Sequence, residues 1–154
     1  MNDDESRITS VRNGRVVDAR KLTQRKHREH QGRFLAEGLQ ILAMAAERIE
    51  SDPRKVKPLE LFYCEELFAG ETAPRLLRDL VEAGAEPIHV ASRVLDTLTE
   101  REASQGLAAT FDLTALETPL DELPSLGVPE PGLVLVLDRL GQFEDEAVAR
   151  DLDR

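Results

Sequence analysis

Tryptophan is absent from these 154 residues, tyrosine occurs once, and aromatics make up only 4% of the chain. Phe34, Phe62 and Phe111 fall in stretches that read as strands and are assigned to the core, so no aromatic platform for stacking bases is expected. Cysteine is nearly missing as well. Cys64 stands alone, which excludes an internal disulfide and a multi-cysteine metal site and makes it a core residue. No apolar run approaches the roughly 20 residues of a membrane helix. The N-terminus, Met1-Asn2-Asp3-Asp4-Glu5, is acidic with no apolar stretch behind it, unlike a secretory signal, and a soluble cytoplasmic protein is expected. His27 and His30 lie three apart but lack a third ligand, and the acid pairs Glu65-Glu66 and Asp121-Glu122 lack partners. Neither a metal site nor acid–base catalysis is expected from them.

What is present is charge, unevenly placed. The chain carries a net −10, yet residues 7–33 hold nine Lys or Arg against two acids (Asp18, Glu29), a local +7 that leaves −17 for the rest. Phosphate contacts depend on the local field, screened beyond about 10 Å, so a basic face can bind nucleic acid on an otherwise acidic molecule.

The pattern alternates helix and strand. Residues 1–6 are expected to be disordered, Asn13-Gly14 to form a turn, and an exposed helix to start near Asp18 and run over 19–31, ended by Gly32. A strand is predicted over 33–37, a half-buried helix from Gly38 to about Glu50, a strand over 59–64, and a helix over 73–83 closed by Gly84. A short strand over 87–90, a helix capped by Ser92 and an extended stretch over 107–111 follow. This order predicts an α/β fold, a three-layer α/β/α sandwich around a small mixed sheet, with the domain over residues 7–112. Four prolines mark 113–132 as a linker, and Leu133-Val134-Leu135-Val136-Leu137 reads as a buried parallel strand opening a new α/β unit over 133–154 that is truncated or divergent.

Several motifs stand in a recognisable order: Ile8-Thr9-Ser10 with Asn13, Lys21-Leu22, Lys26 with Arg28, Gly32 with Phe34-Leu35 and Glu37-Gly38, and later Ser104-Gln105-Gly106-Leu107-Ala108-Ala109. Together they resemble the N-terminal substrate-binding domain of SpoU-type (TrmH-like) RNA 2′-O-ribose methyltransferases. The resemblance implies a fold related to ribosomal proteins that bind kinked RNA, and structured RNA, ribosomal in the first instance, as partner. It also implies S-adenosylmethionine as the cofactor of the full-length family and dimerisation through a knotted catalytic domain. After Asp138-Arg139 the chain departs from that pattern, reading Leu140-Gly141-Gln142-Phe143. No catalytic residue and no cofactor site are therefore expected in this chain, and the fragment is expected to be monomeric and inactive alone. The alternative is a stand-alone, non-enzymatic RNA- or ribosome-binding protein.

The residues themselves support an RNA contact. Lys21, Arg25 and Arg28 stand at helical spacing and would share one face along a phosphate backbone, with Lys26 and Arg33 beside them. Ser10, Asn13 and Gln105 are uncharged groups suited to a ribose hydroxyl or a splayed base. Glu37 precedes Gly38, where a helix start is favoured over a direct contact; Gln105-Gly106 reads equally as a turn or as a contact.

Overall fold

In the computed structural model, which describes residues 7–54, 56–99 and 105–116, a four-stranded mixed sheet lies between two helical layers. The elements are α1 (Gly14–Lys21), α2 (Arg25–Gln31), β1 (Arg33–Glu37), α3 (Leu39–Ser51), β2 (Pro58–Tyr63), α4 (Thr72–Glu82), β3 (Glu86–His89), α5 (Ser92–Leu95) and β4 (Leu107–Asp112), with single 3₁₀ turns at Glu65–Leu67 and Thr114–Leu116. The sheet order is β1-β4-β2-β3; β4 runs antiparallel to both neighbours and β2 parallel to β3. The linker and second α/β unit expected over 113–154 lie outside the described residues from 117 onward, as do residues 1–6 and Ser104.

The central strands are apolar on both faces because both are covered. Leu61 and Phe62 are neighbours, each fully buried, and point to opposite sides. Leu61 joins Ala109, Phe111, Leu42 of α3, and Leu76 and Leu80 of α4. Phe62 joins Cys64, Ile88, Ala108, Val16 and Ala19 of α1, and Val94 and Leu95 of α5. Each such side chain contributes about 2 kcal/mol by leaving water. The three-layer sandwich expected from the alternation is the fold found. Phe62 and Phe111 are buried as expected, whereas Phe34 is only partly covered.

One charged group interrupts the layer under α1. Glu60 of β2 is 8% exposed and receives Arg15 Nε of α1 at 3.0 Å, the Arg33 guanidinium of β1 and the Thr110 hydroxyl of β4 at 3.4 Å. Arg15 continues to Glu86 of β3, so ion pairs through Arg15 link β1, β2 and β3, and the Thr110 hydroxyl joins β4 to them. A buried carboxylate is costly unless paired and hydrogen-bonded, and here two guanidinium groups do both.

The basic segment differs from its expectation. It is two helices, not one, and the first begins at Gly14 rather than near Asp18. Asn13 is its N-cap, its side-chain oxygen accepting the Arg15 N–H at 3.0 Å, so Asn13-Gly14 starts a helix instead of making a free turn. The break follows Leu22, which is 2% exposed. From Thr23 to Gln31 no residue is apolar, so nothing would hold a continuous rod against the sheet. The carbonyls of Leu22 and Thr23 freed at the break accept from Arg28 Nη1 at 2.9 and 2.8 Å. The common helix face expected for Lys21, Arg25 and Arg28 is therefore not formed. Ser92 likewise is the first residue of α5 and makes no side-chain cap; Ala91 holds the cap position.

Replacing Glu60 with Gln removes the charge between Arg15 and Arg33. Because Arg15 is partly exposed and screened, the expected cost is about 2 kcal/mol, read as a lower urea midpoint with unchanged slope. A second expectation concerns acid. Arg15 holds Glu86 below the ordinary glutamate value of 4.5, and Arg7 does the same to Glu66. Their folded-state values are depressed, so the stabilisation is present above about pH 4.5 and fades as pH falls through the folded values. Thermal melts between pH 6 and pH 3 should drop below that point, and less steeply in high salt.

Candidate nucleic-acid interface

The expected contact residues occupy two regions that are far apart in sequence. At the chain's start, Ser10 Oγ accepts the Arg12 N–H at 3.2 Å and Asn13 caps α1, so both side-chain oxygens shape a tight turn. Arg93 of α5 clamps that turn from below, donating to the Thr9 carbonyl through Nε at 3.0 Å and Nη2 at 2.8 Å. Nothing in the sequence marked Arg93 for this, since its partner is a backbone oxygen 84 positions away.

Pairing divides the cations of residues 7–33. Lys21 bonds Asp18 at 3.0 Å and Arg25 bonds Glu29 at 2.6 Å, both exposed pairs within one helix. Such pairs contribute little and exchange readily for a phosphate. Arg28 is turned inward on backbone carbonyls, and Arg33 lies between Gln31 at 2.9 Å and Glu60. Arg7 sits on Glu66 at 2.8 Å. The glutamates that hold Arg7, Arg15 and Arg33 all come from outside the segment. Arg12, Arg20 and Lys26 are exposed and make no ion pair among the described residues.

The second region joins Glu37-Gly38 to Gln105-Gly106. Gly38, at φ 90°, turns the chain from β1 into α3, and the Gln105 side-chain oxygen accepts the Leu39 N–H at 3.1 Å. Gln105 thus supplies the cap that Gly38 lacks. Gly106 has φ +88°, and a Cβ there would stand 2.5 Å from the Phe68 ring, so the position requires glycine. Structure favours the turn reading of this dipeptide while leaving the Gln105 amide N–H₂ exposed beside a helix N-terminus, which attracts anions. One aromatic pair escaped the sequence reading: Tyr63 and His89 stack with centroids 4.9 Å apart at 10°. They come from adjacent parallel strands, and register alone brings them together. His27 and His30 belong to no group of three or more metal-ligating side chains among the described residues.

Residues 13–109 match the family model described as the MRM3-like substrate binding domain. The chain belongs to this family. The match opens on the Asn13 cap and closes within β4, so it takes in every expected contact residue except Ser10. Among solved structures, the MRM3-like domain is similar to an rRNA methyltransferase from Sinorhizobium meliloti, with 28% identity and TM-score 0.54 over 69% of this chain and 36% of that one. It is also similar to an RNA 2′-O ribose methyltransferase, with 27% identity and TM-score 0.54 over 70% and 37%. The SpoU methyltransferase AviRb from Streptomyces viridochromogenes, solved with AdoMet, shares the fold at TM-score 0.56 and 24% identity over 77% and 39%. This chain thus spans little more than a third of each. A comparison with curated proteins found no match.

The cap assignment has a direct check. Gln105→Ala should cost about 0.5–1 kcal/mol in chemical denaturation, whereas Gln105→Glu, which keeps the acceptor and adds a favourable charge at the α3 N-terminus, should retain wild-type stability.

Proposed function

We propose that this chain is the RNA-recognition part of a SpoU-type ribose 2′-O-methyltransferase acting on ribosomal RNA. The observation that carries the reading is the match of residues 13–109 to a substrate-binding domain, joined to similarity with solved rRNA and RNA 2′-O ribose methyltransferases. The exposed cations Arg12, Arg20 and Lys26 meet phosphate, and the exchangeable pairs of Lys21 and Arg25 open to it. The Ser10–Asn13 turn and the Gln105 amide lie beside them in role, offering short-range polar contacts to ribose or base.

The methyl donor of the wider family, named in two of the similar structures, is a sulfonium cation bearing adenosine. The cleft between α3 and α4 sets Glu47, Glu50, Asp79, Glu82 and Arg75 beside Ala43, Ala46, Ile49, Leu76 and Ala83. No methyl-transfer step is assigned to residues 7–116.

Titrating the chain with ribosomal RNA fragments at several salt concentrations should give an affinity whose logarithm falls linearly with the logarithm of salt. Reversing Arg12, Arg20 and Lys26 together to Glu should weaken binding by at least about tenfold and reduce that slope by roughly 2 to 3. Affinity unmoved by the triple reversal would remove the basic segment from the interface.

A further inference from the structure

Aromatic side chains are scarce in this chain, yet two rings are held face to face at one end of the sheet. Tyr63, the only tyrosine, and His89 stack with centroids 4.9 Å apart at 10°. Each ends its strand and stays half-buried, whereas Phe62, Cys64, Ile88 and Val90 beside them are buried.

Strand register says where the pair stands. Tyr63 lies opposite His89 on one side and Leu107 on the other, and in the next place along β4 Ala108 lies opposite Glu37. The stack therefore shares one end of the sheet with Glu37-Gly38 and Gln105-Gly106. It shares a face as well. Alternation sets Tyr63 with Leu61 in the layer of α3 and α4, and sets His89 away from Ile88 and Val90, which pack in the α1 layer. From the end of β1, Tyr63 is two strand spacings away, about 10 Å, and His89 three, about 15 Å. The Gln105 side chain on the Leu39 N–H stands at the near end of that row.

His89 is the outer ring of the two. Its strand is an outer strand of the described sheet, and Ile8, which bridges Val90 beyond it, packs in the α1 layer. Arg7 is engaged by Glu66 at 2.8 Å and stands 4.0 Å from the Sγ of Cys64, which also packs in the α1 layer.

We propose that the Tyr63–His89 stack receives an unpaired base of the bound RNA, the base adding to the outer side of His89. This rests on the RNA reading and supplies what the basic segment lacks, a contact with the base instead of the phosphate. Every base has a π face, but in a duplex that face is covered by the next pair, so the stack selects loops and bulges. The imidazole is already held by the phenol behind it, so little side-chain freedom is lost when a base arrives. The base-stacking platform that seemed absent from the sequence is assembled from two strands.

Ribosomal RNA hairpins carrying 2-aminopurine at one loop position at a time are titrated with the full chain. At one position the fluorescence should fall on binding, as it does when this base stacks. His89→Ala should restore the fluorescence and weaken binding by about tenfold, with the salt slope of wild type because no phosphate contact is lost. His89→Phe should recover both quench and affinity. Should His89→Ala prove unstable to urea, the quench and its persistence in His89→Phe carry the test. Salt-dependent binding with no quenched position, or a quench and affinity indifferent to His89→Ala, would overturn the stack and leave the RNA reading standing. No RNA binding even at low salt would overturn both.

Discussion

A single carboxylate organises the basic end of this domain. Glu60 is buried in the middle of the sheet and held by an arginine from the helix above and another from the edge strand. Left alone, a charge in that position would cost several kcal/mol. Paired twice, it fastens α1, β1, β2 and β4 at one point, and through Arg15 and Glu86 it reaches β3. The Ser10–Asn13 turn is set by the start of α1, so the position of the candidate contact residues follows from that buried pair.

The same arrangement alters how the positive charge is spent. The excess of +7 over 7–33 suggested a basic face, with Lys21, Arg25, Lys26, Arg28 and Arg33 along a phosphate backbone. Arg7, Arg15 and Arg33 instead face glutamates from elsewhere, and Arg28 closes a helix break. The cations that remain outward are fewer, but they stand on a frame stiffened by those that turned inward. For an interface whose affinity grows with phosphate contacts and whose selectivity depends on shape, fewer cations held rigidly give up affinity and gain definition.

Two glycine-containing loops meet where Gln105 closes the N-terminus of α3 across 66 positions of sequence. Arg33, the first residue of β1, is tied to Gln31 and Glu60, so this outer strand of the described sheet belongs to the buried network.

By itself the sequence determined the alternation of elements, the three layers and, Phe34 apart, the core phenylalanines, because each follows from local periodicity, glycine punctuation and apolar enrichment such as Leu59, Leu61 and Phe62. The family resemblance was legible too, since its motifs are short and contiguous. What only the tertiary structure decided is which polar residues are left for a partner. Arg15, Arg33 and Glu60 look like surface charge in a linear reading, and Tyr63 and His89 look unrelated. Their partners lie tens of residues away and are chosen by strand order and register, which no local pattern carries. The break at Leu22 was missed for the same reason: propensity favours a continuous helix over 19–31, but without an apolar residue beyond Leu22 the sheet has nothing to hold, and packing outweighs propensity.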